Sequence, residues 1–432
     1  MAISSDESFD VLVVGGGPAG STIATLLARR GERVLLVEKE RHPRFHIGES
    51  LLPMNMPLFD ELGVGEAIAR IGIPKYGVEF VSPDHDKPVS LDFVQGWDRS
   101  LASAYEVRRS EFDHVLLNNA AAAGAAVLEG HRVAAVEFPA RGHVVARISG
   151  ADGRHRQVQA KFVVDASGRD TLLATKFASK VSNKRHHSAA VYGHFTGARR
   201  LPGRAEGNIS IFWFDRGWFW FIPLADGTTS VGAVCHAEFI RSRKTDVTAF
   251  FRDTIAMSPA LSDRLRDAEM TGPATATGNY SYKSCVMHGP DFIMVGDAYC
   301  FIDPVFSSGV YLAMQGAFFA ADAVTASLRG SRAEAARALR RYEAGVDRAL
   351  ARFSWFIYRV NRPAIRALFM ENGNPLRMRE AVLSLLSGDV FRASPIHARL
   401  RLFKGLYYLK AMAAAAGFRR ARLRGGAKAG KA

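Results

Sequence analysis

The chain has 432 residues, with 57 lysines and arginines against 42 aspartates and glutamates and a net charge of +15. That length exceeds one ordinary domain and predicts two or three lobes with ample core. Eleven positive charges, Arg392 to Lys431, follow Asp389 with no acidic residue among them. Basicity is therefore a tail property, and without aromatic–basic interleaving no nucleic-acid partner is expected. Cys235, Cys285 and Cys300 are too scattered for a disulfide framework or a zinc site; they read as structural thiols in a reducing cytoplasm, and no metal is expected. The start, MAISSDESFDVLVVGGG, lacks the basic segment of a signal peptide, and no run approaches the ~18 apolar residues of a membrane span. The expectation is a soluble cytoplasmic protein.

In chain order, the first signal is FDVLVVGGGPAGSTIATLLARRGERVLLVEKE. The β-branched run Val11 to Val14 reads as a strand, an Ala-rich helix starts at Pro18 and Ala19 and runs to about Arg30, and Val34 to Val37 reads as a second strand. Gly15, Gly17 and Gly20 stand at G-x-G-x-x-G spacing. The first allows the tight turn, the second lets backbone approach a pyrophosphate at the helix N-terminus, and the third lets helix and strand pack closely. Glu38 falls where a carboxylate accepts from ribose hydroxyls, completing a dinucleotide-binding signature. Further on, 111–123 reads as a helix, and 133–136, 144–148 and 158–164 read as strands closing on DASGRD. Residues 189–235 alternate like an antiparallel sheet, DFIMVGDAY returns to the first lobe, the chain is mostly helical from Val310, and GGAKAGKA at 425–432 reads as an unstructured tail. In GWFWFIP, strand alternation puts Trp218, Trp220 and Ile222 on one face, a rigid apolar surface, and Phe219 and Phe221 on the other.

Three later segments resemble fingerprints of the FAD-dependent monooxygenase superfamily: VVDASGRD with Asp165, VGDAY with Gly296 and Asp297, and VRRSEFDHVLL with Arg109. Three more resemble the flavin-dependent halogenases. These are W-x-W-x-I-P at Trp218, Trp220, Ile222 and Pro223; F-x-x-P-x-x-S-x-G at Phe301, Pro304, Ser307 and Gly309; and Lys75 in GIPKYGVEF, shortly after the GES of residues 48–50. The resemblance spans about residues 9–320. It implies an α/β fold with a Rossmann-type FAD-binding lobe (1–75, 106–180 and 286–330), an antiparallel-sheet substrate lobe (76–105 and 181–285) and a C-terminal helical region (331–424) as lid or docking surface. It adds Pro18, Ala19, Arg44, Glu49, Ser50, Pro304 and Gly309 to the FAD-binding residues.

The chemistry implied is that reduced FAD reacts with oxygen to a hydroperoxide and halide attacks it to give hypohalous acid. The oxidant then passes a tryptophan partition to Lys75, which delivers it to the substrate. A lysine in an apolar site suits this because desolvation favours the neutral, nucleophilic amine. Halide would sit on the backbone amides of Ser308 and Gly309 where a helix opens, next to Ser307. No second glycine fingerprint appears, so a separate flavin reductase would supply reduced FAD. The family's free-tryptophan enzymes carry a glutamate just before the serine of this turn; here it is Phe306. That departure points to phenols or pyrroles, often tethered to acidic acyl carrier proteins. The basic tail would suit such a carrier or, as a basic amphipathic helix, a peripheral contact with anionic lipid. A hydroxylase or a double-bond reductase resembling geranylgeranyl reductases is the alternative on the same scaffold.

Overall fold

The structure is a computed structural model that describes residues 8–150, 153–183, 188–370, 374–392 and 394–429. Residues 1–7 and 430–432, which enter the reading of both chain ends, lie outside the described residues.

The strand Ser8–Val14 is fully buried at Val11, Leu12 and Val13 because it is central in a parallel sheet. This is why its apolar residues run continuously instead of alternating. It pairs in parallel with Val34–Glu38 on one side and His155–Asp165 on the other; Phe292–Met294 and Ala126–Glu129 extend the sheet outward. The helix Pro18–Arg29 connects the first two strands, and its inner face is buried from Pro18 to Leu27. An antiparallel ribbon, His131–Ala140 with His143–Gly150, continues onto the early half of His155–Asp165.

The second sheet is antiparallel apart from one parallel pairing, Ile209–Phe214 with Gly77–Val81. At its centre Gly217–Pro223 lies between Ile209–Phe214 and Thr229–His236, with every residue buried. Its alternation divides two cores. Trp218, Trp220 and Ile222 join the core shared with the parallel-sheet lobe, whereas Phe219 and Phe221 face a separate core with Phe250, Phe251 and Leu261 from the helices Val247–Ala256 and Pro259–Arg264. The strand that carries Lys75, Gly72–Lys75, belongs to neither large sheet; it forms a two-stranded ladder with Ala104–Val107.

Among the described residues the chain after 307 is mostly helical, beginning with Ser308–Arg329, two residues earlier than expected. It packs on Pro18–Arg29 and on Arg332–Ile357, whose start is fixed by a reciprocal cap between Ser331 and Glu334. The last helix runs Ile396–Ala429 and so takes in Gly425–Ala429, which the sequence assigns to an unstructured tail. The Ala, Leu, Arg and Lys around them are strong helix formers, and two glycines cost only about 1 kcal/mol each. In its first turns Ile396, Leu400, Phe403 and Tyr407 are buried in the main core. The apolar stripe expected for a lipid surface is thus used internally, while Tyr408, Leu409 and Met412 are exposed. Among the described residues no helix is long and apolar enough to cross a membrane. The three cysteines are unpaired; Cys235 is buried, but Cys285 is exposed, against the expectation of structural thiols throughout.

Candidate active site

A cavity of about 470 Å³ lies between the two sheets and extends from the first glycines to the tryptophans. Its near end is made by close backbone approach. Gly15 has φ +102°, and a Cβ there would lie 2.4 Å from the Ala166 carbonyl; at Gly20 it would lie 1.8 Å from the Gly15 carbonyl. Gly20 is therefore behind the wall, holding the turn, while Gly15, Gly17, Pro18 and Ala19 line the cavity. Gly17 caps the helix without a side-chain acceptor, which leaves the first-turn amides for an anion. Glu38 also lines it; its Oε2 accepts from the Gly16 amide at 2.6 Å and its Oε1 from the Glu40 amide at 2.9 Å. This cradle of small residues, free amides and a ribose-side carboxylate fits FAD.

The side wall is charged. Arg109 makes a two-pronged pair with buried Asp113, at 2.8 and 3.0 Å, and its third nitrogen donates to the Ile47 carbonyl at 2.9 Å. Arg44 reaches the same Asp113 at 3.2 Å. Burial works to raise the Asp113 carboxyl, but the arginines outweigh it and hold it below the ordinary carboxylate range. The same Arg109, with burial second, depresses the neighbouring His46 imidazole to about 4. Asp297 lines the cavity with its carboxyl pushed up to about 6 by burial, against the pull of Arg109 and Arg169; Gly296, at φ +58°, shapes the turn behind it. Asp165 is not on the wall. Its two oxygens accept from the Ser167 and Leu173 amides at 3.0 and 2.7 Å, so it fixes the turn that presents Ser167 to Asp170 to the cavity.

At the far end stand Trp218, Trp220 and Ile222, the two indole rings 6.1 Å apart. Trp220 occupies space left by Gly232, its partner on Thr229–His236: a Cβ at Gly232 would lie 2.2 Å from the indole. Its Nε1 donates to Ser230 Oγ at 3.1 Å. Pro304, Ser307 and Gly309 close the wall beside them. Ser307 is held at φ +54°, an uncommon conformation for a residue with a side chain, as it turns the chain into Ser308–Arg329. Ser308 lies just behind, its Oγ buried without a hydrogen-bond partner among the described residues. A long helix opening at a buried, unsatisfied hydroxyl suits a small anion.

Lys75 is not on the cavity wall. It is 1% exposed, and its Nζ donates to Ser50 Oγ at 2.8 Å and to the Leu51 carbonyl at 3.0 Å; Ser50 and Glu49 do line the cavity. Lys75 thus reaches the site through the GES loop. Two groups around it carry no sequence signal. Glu106 lies 3.7 Å from its Nζ, and His194 Nε2 is 2.9 Å from Glu49 Oε1.

The cavity and its glycine cradle define an FAD-dependent oxidoreductase, and the FAD binding domain family matches over residues 8–351. The chain is 38% identical over 336 residues to the tryptophan 2-halogenase of Chondromyces crocatus, covering 75% of this chain but only 62% of that protein. It is 31% identical over 414 residues to the 1H-pyrrole-2-carbonyl-[peptidyl-carrier protein] chlorinase of Pseudomonas fluorescens, covering 90% of each. Among solved structures, the myxobacterial chondrochloren halogenase CndH superposes with a TM-score of 0.79 at 34% identity, over 90% of this chain and 92% of that one. The chain belongs to the flavin-dependent halogenases.

Proposed function

We propose that the protein installs chlorine or bromine on an electron-rich aromatic ring, a phenol or a pyrrole, free or tethered to an acyl carrier protein. The observation that carries this reading is the arrangement just described: two tryptophans at the end of a flavin-sized cavity, and a fully buried lysine that reaches the same wall through Ser50. Bound FAD, reduced by a separate flavin reductase, supplies the activation of oxygen that turns halide into hypohalous acid.

The chain's own residues do the rest. The amides opening Ser308–Arg329 hold the halide. Trp218, Trp220 and Ile222 exclude water and keep an aromatic substrate away from the flavin, so that oxygen is not transferred directly. Lys75 receives the oxidised halogen and presents it to the ring. Phe306 is buried at the position where a carboxylate would polarise an indole nitrogen, which leaves ring activation to the substrate's own hydroxyl or nitrogen. The carrier-bound pyrrole of the Pseudomonas chlorinase supports a tethered substrate, to which the basic residues from Arg392 onward offer complementary charge.

The test is a reaction of the purified protein with flavin reductase, oxygen and bromide on a panel of phenols, pyrroles and carrier-bound analogues. Mass spectrometry should show bromine's isotope doublet in product. Lys75→Ala should lower bromination by at least ~10³-fold, a loss of about 4 kcal/mol in transition-state stabilisation, while FAD titration is unchanged. Full bromination by Lys75→Ala would sink the reading.

A further inference from the structure

Lys75 and Glu106 come from neighbouring strands of the small ladder. Lys75 pairs with Ala104 and Glu106 with Ile73, so the two side chains are diagonal neighbours on one face. The GES loop is stitched onto the same strand by Leu51 N–H to the Tyr105 carbonyl at 3.1 Å and Val107 N–H to the Glu49 carbonyl at 2.8 Å. Lys75 and Glu106 are both fully buried. Glu106 has the Lys75 ammonium as its nearest counter-charge, at 3.7 Å, and the Ser50 hydroxyl beside it, but among the described residues neither carboxylate oxygen makes a well-formed hydrogen bond. The other charge that bears on it is Glu49, which His194 engages at 2.9 Å; the Phe93 ring lies 5.6 Å from Nζ. A buried carboxylate so weakly hydrogen-bonded is costly as a structural element, and replacing such a pair by apolar residues is often neutral or stabilising. Its presence calls for a use.

We propose that Glu106 is a positioning residue that sets the proton state of Lys75: the pair holds one proton between them, and its passage to Glu106 frees the amine. The inference rests on the role given to Lys75 above. Transfer from Nζ to the carboxylate turns an ammonium–carboxylate pair into an amine and a carboxylic acid, so the dry site stays neutral and no charge has to leave it. The amine then attacks hypohalous acid; an N–halogen bond forms, the O–halogen bond breaks, and the displaced proton leaves on oxygen as water. When the ring takes the halogen and returns its proton to nitrogen, the amine is restored, and the proton on Glu106 can go back to it.

While the pair holds one proton, its internal equilibrium does not depend on pH. Two measurements on the full-length protein follow. In protein labelled with ¹³C at lysine Cε, with the signal assigned by Lys75→Arg, the Lys75 resonance should keep one value from about pH 6 to 8. In Glu106→Gln the lone lysine should titrate, at least one unit below exposed lysines, because burial then acts unopposed. This readout needs neither flavin nor halide, so it stands or falls separately from the halogenase reading. In bromination assays wild type should be flat over the same range, whereas Glu106→Gln should lose kcat about tenfold per unit on the acid side, with KM unchanged. Glu106→Asp, which keeps the carboxylate, should stay flat. A Glu106→Gln protein whose Lys75 signal and rate profile match wild type, or a Glu106→Asp protein that titrates, overturns the proposal.

Discussion

Of the buried ion pairs around this site, two are built to opposite specifications. Arg109–Asp113 is saturated: two parallel hydrogen bonds at 2.8 and 3.0 Å, a third to a carbonyl, and Arg44 on the same carboxylate. Lys75–Glu106 is loose: the charges are 3.7 Å apart, the lysine's hydrogen bonds go to Ser50 and the Leu51 carbonyl, and neither carboxylate oxygen makes a well-formed one among the described residues. The guanidinium cannot give up its proton and the carboxylate beside it is held ionised, so the first pair is a fixed charge on the cavity wall. In the second, burial pushes the ammonium down and the carboxyl up, which brings the two groups' proton affinities together. Saturation fixes charge, and its absence leaves a proton free to move.

The largest effect expected from breaking this contrast is at the saturated pair. Asp113→Ala leaves Arg109 buried without its partner and should cost about 3–5 kcal/mol in chemical denaturation, with FAD affinity lost as well. A smaller effect should follow from the field that Arg109 projects. Because His46 is depressed to about 4 from an ordinary 6.5, the folded apoprotein refuses a proton that the unfolded chain accepts. Its stabilising contribution is complete above pH 6.5 and is lost as pH falls toward 4, by at most ~3 kcal/mol; His46→Gln should remove that acid dependence in thermal melts. The smallest effect is at the loose pair. Lys75→Met should cost only about 1–2 kcal/mol at pH 6, because the abandoned Glu106 takes up a proton. With a folded carboxyl already raised above its unfolded 4.5 by burial, and raised further once the ammonium is gone, the Glu106 contribution in Lys75→Met should be full below pH 4.5 and fall steadily as pH rises above it. A penalty that matches Asp113→Ala and ignores pH would erase the distinction.

Legibility in the sequence follows the range of the constraint. The glycine turn was readable because Gly15 and Gly20 answer to backbone a few residues or one strand away, and the tryptophan face because alternation needs only neighbouring residues. Asp165 shows the limit of a fingerprint: the residue is where the motif puts it, but its oxygens serve the turn and not the cavity. Glu106 was invisible for a different reason. In AYEVRR it looks like the outward carboxylate of an ordinary strand; only the register that sets it diagonal to Lys75, and the loop at Ser50 that covers both, makes it a buried partner. Likewise the apolar residues of the basic tail have the period of a lipid-binding helix, and nothing local says that the protein's own core takes them.

The division of Gly217–Pro223 between two cores has a consequence for how such an enzyme can change. Phe219 and Phe221 anchor the strand in a core that contributes nothing to the cavity, so its attachment to the sheet does not depend on what the opposite face carries. Selection, or a designer, can therefore alter the indole face and the small partner at Gly232 to admit a different ring, and the strand that bears them keeps its place.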